Sequence, residues 1–358
     1  MTVAQRIAEI LADPIAAYPA ATVACFDPTT GELPRRSLDE VRTVAFLERL
    51  TNAGAPAMLI AASTGHGHLR TVAELEQWFR AAARASLGTS LLTALLRPED
   101  GMEANQHLTE LLAELGYAVA FVRPGRDLAA GASDAEVATN IQPVVEAIAA
   151  AGLAVGLYSI PDVSGVAMTP EAAFRVISGL GGKRVVAIKV TEASYENSTQ
   201  RFLSDARLTH LKIVQGWDPH MAKALQEGPT YDARGRQRCG VTSGPMSFAV
   251  HQYLHILAAA EQKDWDEVAA AQAAVTSLFA AMQDDPNKFA DLQRAKYIMG
   301  LGHPLTGKVI AAQFEPVLNA LENLPRPADR QRLAQSLDLM GDSPFHHGLV
   351  QISMTPDS

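Results

Sequence analysis

Cysteine is nearly absent: Cys25 and Cys239 are the only two in 358 residues. Two thiols cannot build a disulfide framework, which excludes the small stapled scaffolds of secreted proteins and makes a reducing cytoplasm the expected setting. Long apolar runs are missing as well. No window approaches eighteen uninterrupted apolar residues, so no membrane-spanning helix is expected. The first twenty residues carry Arg6, Glu9 and Asp13 in a helical pattern, not a charged leader followed by an apolar signal segment. Basic charge is scarce: 30 Lys and Arg face 39 Asp and Glu, for a net charge of −9. That balance argues against nucleic acid or an anionic membrane as partner, and an anionic substrate must then be held by local groups.

What is present is core-forming material. The chain is 48% hydrophobic and only 19% charged, with mean hydropathy of +0.03, so it can fold without staples. Its 358 residues can hold one barrel of about 250 residues with an appendage, or two ordinary domains. The rhythm of the chain chooses between them. Eight short apolar runs recur, at Ala21–Phe26, Ala57–Ala62, Ser90–Leu95, Ala118–Val122, Ala154–Tyr158, Val185–Lys189, Leu211–Val214 and Cys239–Thr242. Amphipathic stretches separate them, such as Ala135–Ala151, where Val137, Ile141, Val145 and Ile148 share one helical stripe. Helix starts are marked by three capping boxes, Ser37-x-x-Glu40, Thr71-x-x-Glu74 and Ser133-x-x-Glu136, and by Thr169-Pro170-Glu171. Strand followed by helix eight times predicts an α/β fold, a (β/α)8 TIM barrel over residues 1–258 that includes an N-terminal helix.

Beyond about Ala258 the strand signals stop. Trp265–Met282, Asn287–Met299, Gln313–Leu321 and Ala328–Leu339 read as helices of a C-terminal appendage over 259–342, and 343–358 as a tail. The polar stretch Gln226–Arg238 reads as an inserted loop before the eighth strand.

In such a barrel, chemistry sits where the strands end, so the polar residues closing each run are the candidates. Lys189 closes Val185-Val186-Ala187-Ile188, which walls its stem with apolar side chains. Burial disfavours the charged form, and bringing a lysine from about 10.4 to roughly 7–8 costs about 4 kcal/mol of differential solvation. The neutral amine can attack a ketone carbon, and the resulting iminium withdraws electrons from the neighbouring bond. Tyr158, one strand earlier, can carry a proton-shuttling phenol into the same space. Ser63-Thr64-Gly65 offers hydroxyls and backbone N–H groups to a carboxylate, and Gly216 with Asp218 follows the seventh run. Taken singly, each of these also suits an ordinary strand-end turn or a snorkelling side chain.

As an ordered set the motifs resemble the superfamily of dihydrodipicolinate synthase and N-acetylneuraminate lyase. That family's glycine-threonine-threonine-glycine-glutamate turn appears here as Ala62-Ser63-Thr64-Gly65-His66, with Ala62 in place of the first glycine and His66 in place of the glutamate, and its tyrosine-asparagine-x-proline motif as Tyr158-Ser159-Ile160-Pro161, with Ser159 in place of the asparagine. The Schiff-base segment is matched by Ala187-Ile188-Lys189-Val190-Thr191, and the strand-end glycine with its acidic neighbour by Gly216-Trp217-Asp218. The resemblance implies Lys189 as nucleophile, Tyr158 as general acid and base, and Ser63 with Thr64 as carboxylate binders, Thr64 also joining the proton relay. Gly65, Gly216 and Asp218 would complete the substrate site. It implies a class I lyase or aldolase acting on a small-molecule 4-hydroxy-2-keto acid, with pyruvate as product or donor, no cofactor and no metal. It further implies a homo-oligomer, a dimer or tetramer.

A dehydratase of a sugar-derived keto acid working through the same imine, and a non-catalytic sugar-acid-binding or regulatory barrel, are the rival readings. The Ser63-Thr64 pair and Ser164-Gly165-Val166 look more like the neuraminate-lyase branch. Val163 replaces the synthase's arginine, and Arg123-Pro124-Gly125-Arg126 replaces its tyrosine-bearing loop. Arg123 or Arg126 is a candidate contact for a distal substrate group, against the plainer reading of solvated loop arginines.

Three other patterns are decoys. Gly302-x-x-x-x-Gly307-Lys308 imitates a phosphate loop, but Val309 stands where Ser or Thr must bind magnesium. His251 and His255 are one helical turn apart, but Gln252 cannot act as the base of a zinc protease. His66 and His68 could share a metal from one face of an extended segment, but the sequence shows no further ligand beside them.

Overall fold

Aliphatic runs of four to six residues, each buried along its whole length, extend because their side chains can be covered on both faces only inside a parallel sheet wrapped by helices. The computed structural model describes residues 1–30, 37–282, 290–302 and 314–341. Its barrel strands are β1 (Ala21–Ala24), β2 (Ala57–Ile60), β3 (Leu91–Leu96), β4 (Val119–Val122), β5 (Ala154–Ser159), β6 (Val185–Val190), β7 (Lys212–Gln215) and β8 (Cys239–Ser243). They pair in parallel in sequence order, and β1 closes the cylinder on both β2 (Val23 opposite Met58) and β8 (Ala21 opposite Val241). This is the (β/α)8 barrel that the strand rhythm predicts.

The helices on its outside are α2 (Glu40–Asn52), α3 (Val72–Ala82), α4 (Met102–Glu114), α5 (Asp134–Ala150), α6 (Pro170–Ser178), α7 (Thr199–Ser204), α8 (Met221–Glu227) and α9 (Val250–Glu261), with α1 (Val3–Ala12) ahead of β1. Two of the three predicted capping boxes form: Thr71 with Glu74 opens α3, and Ser133 with Glu136 opens α5. Thr169 caps α6 with Pro170 in its first turn. Ser37 does not cap α2. Ser37–Leu38 pairs antiparallel with Thr29–Thr30, and Asp39 accepts from Arg42 N in its stead. A carboxylate already next to the helix start outcompetes a hydroxyl three residues away that belongs to a strand.

C-terminal to α9 come α10 (Trp265–Ala280), α11 (Ala290–Ile298), α12 (Glu315–Glu322) and α13 (Pro327–Leu337), in the four places where helices are predicted. The first part of the predicted Asn287–Met299 helix, the tail from Ser343 to Ser358, and Gly307 with Lys308 of the phosphate-loop decoy lie outside the described residues. Among the described residues, no helix is long and apolar enough to cross a membrane.

Register assigns the faces. Residues paired across neighbouring strands share a side, and the Tyr158–Lys189–Val214 row and the Gly156–Ala187–Lys212 row below it both line the lumen. Gly156 is required there, since a Cβ would fall 2.3 Å from the Phe121 ring that fills the middle of the barrel. The lower end is closed by Tyr18, whose ring meets Phe121 edge to face at 6.4 Å, and by Lys212, whose Nζ donates to Ile15 O at 3.2 Å and Gln237 O at 2.7 Å. Gln226–Arg238 belongs to this floor. Arg238 is fully buried and donates to Leu203 O and Leu208 O, and Arg236 reaches Asp13 at 2.9 Å. The predicted inserted loop is thus an ordered part of the end remote from the strand C-termini.

Candidate active site

The amine of Lys189 lies inside the mouth of the cylinder. The residue is 3% exposed, and its Nζ stands 4.2 Å from the centroid of the Tyr158 ring. Strand alternation produces this meeting: Tyr158 and Lys189 are register partners on β5 and β6, so both side chains enter the lumen at the same height. Burial pulls the Lys189 amine down from its ordinary value to about 7, and the negative charge of Asp218 opposes this in part. Burial pushes the Tyr158 phenol well above its usual range.

Thr191 is the next lumen position on the Lys189 strand, and its Oγ1 lies 3.2 Å from the Tyr158 hydroxyl. The resemblance implies a relay from Tyr158 to Thr64; in the structure the phenol's hydrogen bond goes to Thr191. Sequence reasoning missed this residue although the signal was there, two positions after Lys189 on a strand of period two. Gly216 makes room for the group, because a Cβ would lie 2.1 Å from Thr191 Oγ1 and 3.0 Å from Lys189 Cε.

Ser63, Thr64 and Gly65 form a single 3₁₀ turn after β2, with both hydroxyl-bearing residues 5% exposed. Two left-handed non-glycine residues bracket it, Ala61 (φ 65°) and His66 (φ 54°), each strained by about 1–2 kcal/mol. Gly67 closes it, since a Cβ there would meet Ala61 O at 1.8 Å. The N–H groups of Gly65 and Gly67 go to Ala62 O and that of His66 to Ser63 O. A carboxylate would therefore meet the Ser63 and Thr64 end of the turn, while Gly65 is packed against the Trp78 ring and Cys25 O.

Asp218 stands at the rim after β7, where Ser243 Oγ and the Tyr253 hydroxyl, themselves 2.9 Å apart, both donate to its Oδ1. Tyr253 carries no sequence signal, because it sits mid-helix in α9, whereas Ser243 ends β8 and is a strand-end polar residue that sequence reasoning passed over. Arg123, just past β4, is fully buried and engages Glu99 and Pro124 O. Arg126 is exposed. Burial, and after it the positive charges of Arg123, Arg126 and Arg97 against the opposing Glu99, hold His68 down at about 4, so its imidazole is neutral at pH 7. The His66 and His68 rings meet edge to face at 5.8 Å, and among the described residues no cluster of three or more metal-ligating side chains forms. Ser159 faces away from the lumen. It donates to Glu192 at 2.6 Å and accepts from Met168 N at 2.9 Å, which pins the loop after β5.

The profile of the Dihydrodipicolinate synthetase family matches residues 18–308. None of the curated proteins matches the chain. Among solved structures, the sialic acid aldolase of Ruminococcus gnavus superposes with a TM-score of 0.70 at 14% identity, covering 89% of this chain and 98% of that one. A 2-keto-3-deoxygluconate aldolase variant of Sulfolobus solfataricus gives 0.68 at 14%, covering 85% and 95%. The dihydrodipicolinate synthase of Aquifex aeolicus gives 0.68 at 16%, covering 86% and 99%. At such identities the superpositions speak for a shared fold.

Proposed function

Because this chain belongs to the Dihydrodipicolinate synthetase family, we propose that it is a class I lyase in which Lys189 condenses with a 2-keto acid and the bond between its C3 and C4 is broken or made. The observation that carries the proposal is the setting of Lys189: an amine inside the barrel, brought to about 7 by burial, with a phenol ring 4.2 Å away. Near pH 7 about half of such amines are uncharged and nucleophilic.

The uncharged Nζ adds to the C2 carbonyl, the Tyr158 phenol gives its proton to the departing hydroxyl, which leaves as water, and a protonated imine beside a phenolate results. Its cation then lies beside the Tyr158 ring, where the electron-rich face stabilises it and where its charge favours ionisation of an otherwise reluctant phenol. In cleavage, the phenolate takes the proton of the C4 hydroxyl, an aldehyde departs, and the C3–C4 electron pair passes into an enamine. Protonation at C3 and hydrolysis of the imine release pyruvate and restore the amine. In synthesis the same phenol protonates the developing alkoxide, with Thr191 Oγ1 as its hydrogen-bonding partner throughout. Ser63 and Thr64 would hold the carboxylate.

Borohydride reduction in the presence of pyruvate tests this. A stable mass increase on the intact protein is expected, and none in Lys189→Met. Absence of any adduct on the unaltered protein, with pyruvate still bound, would favour a sugar-acid-binding barrel. If adducts form but turnover of a sugar-derived keto acid gives water loss with an intact carbon skeleton, the enzyme is a dehydratase.

A further inference from the structure

We infer that α11, which lies outside the eight β–α units, governs the affinity of the Ser63-Thr64 cradle through Gln293, a positioning residue. The inference rests on the reading of that turn as the carboxylate site.

Three contacts bring the helix to the turn. Gln293 is fully buried and its Nε2 donates to Thr64 O. That carbonyl has no donor inside the turn, where Ala62 O and Ser63 O take up the N–H groups of Gly65, His66 and Gly67. The side-chain amide thus orients the Thr64–Gly65 peptide and the Thr64 residue from which the hydroxyl projects. Leu292 and Thr64 meet over Gly244: a Cβ on that glycine would lie 2.4 Å from Thr64 Oγ1 and 3.1 Å from Leu292 Cδ1. One turn further along, the fully buried Lys296 reaches Asp27 Oδ1 at 3.0 Å and Thr29 Oγ1 at 2.7 Å.

Asp27 itself underlies the cradle, since its N would be 3.1 Å from a Cβ on Gly65, and it also engages Arg70. Arg42 of α2 donates to Gly300 O at 2.7 Å, just past the helix end. The turn is therefore held between the extension of β1 below and α11 above. A buried ion pair with good partners is costly to break and sets one position rather than many, so Lys296 and Asp27 fix the height from which Gln293 reaches down. The strained φ angles on both sides of the turn are of the kind that persist only when the surroundings over-determine them. The amide of Gln293 is part of that surrounding.

The experiment is borohydride trapping titrated with pyruvate. Gln293→Met keeps the length and packing but removes the donor. The half-saturating pyruvate concentration should rise about tenfold. The adduct yield at saturation and the pH midpoint of trapping should stay unchanged, because Lys189 is untouched. Leu292→Ala, which adds no polar group to the interior, should raise the same concentration by a smaller factor, about threefold, and serves if the first variant does not fold. A folded Gln293→Met with unaltered half-saturation overturns the inference, and so does a loss confined to yield at saturation or a shifted pH midpoint. No adduct on the unaltered protein overturns the catalytic reading itself, and this inference with it.

Discussion

A lysine held uncharged on an apolar strand weakens the fold to the degree that it becomes reactive. Lys189 sits at about 7 in the folded chain and near 10.4 when unfolded. Between those values the unfolded chain binds the extra proton, so stability rises with pH across that window, and the penalty is complete below pH 7. Lys189→Met removes it. The variant should be more stable by up to about 4 kcal/mol at pH 7, and the advantage should shrink towards pH 10; urea midpoints at several pH values measure this. Trapping by pyruvate should run the other way in the parent protein, rising through pH 7 as the amine loses its proton. The phenol adds no falling limb at neutral pH, because burial keeps it protonated. Gly216→Ala places a methyl group 2.1 Å from Thr191 Oγ1 and 3.0 Å from Lys189 Cε. We expect at least a tenfold loss of trapping rate with a small change in melting temperature, checked by kinetics beside a thermal scan.

Elements divide by which end of the cylinder they serve. Arg238 ends the polar stretch before β8 and satisfies the carbonyls of Leu203 and Leu208 at the floor. Arg238→Met strands these buried acceptors and should cost about 2–3 kcal/mol in urea unfolding while leaving the trapping rate unchanged. All eight strands were readable in the sequence because each is an apolar run bounded by turn residues, and the helices because their caps and stripes are local. What stayed hidden depends on distant partners. The Thr29–Thr30 and Ser37–Leu38 pair is too short to carry a periodicity, and this is why Ser37 looked like a cap. Lys189, Tyr158 and the Ser63-Thr64 turn could be picked out as polar residues ending strands. Tyr253 and Gln293 could not, for each sits within a helix and acts on a loop far from it in sequence. Arg123 was visible as a strand-end cation, but its engagement by Glu99, 24 residues earlier, was not.

For the whole molecule, the net charge of −9 leaves little to attract polyanions, and the local guanidinium groups near the mouth are largely met by carboxylates: Arg97 by Asp100, Arg123 by Glu99 and Arg70 by Asp27. A homo-oligomer remains our expectation from family resemblance, and light scattering at micromolar concentration should return a dimer or tetramer; a monomer would refute it.

The stopper formed by Tyr18, Phe121 and the Lys212 ammonium shuts the lower end of the cylinder. On the proposed chemistry, keto acid, aldehyde and the water that frees the amine all pass the same rim. Traffic is then sequential: an aldehyde lodged at the threshold imprisons the enamine behind it, and nothing is discharged from the lysine until that guest has gone.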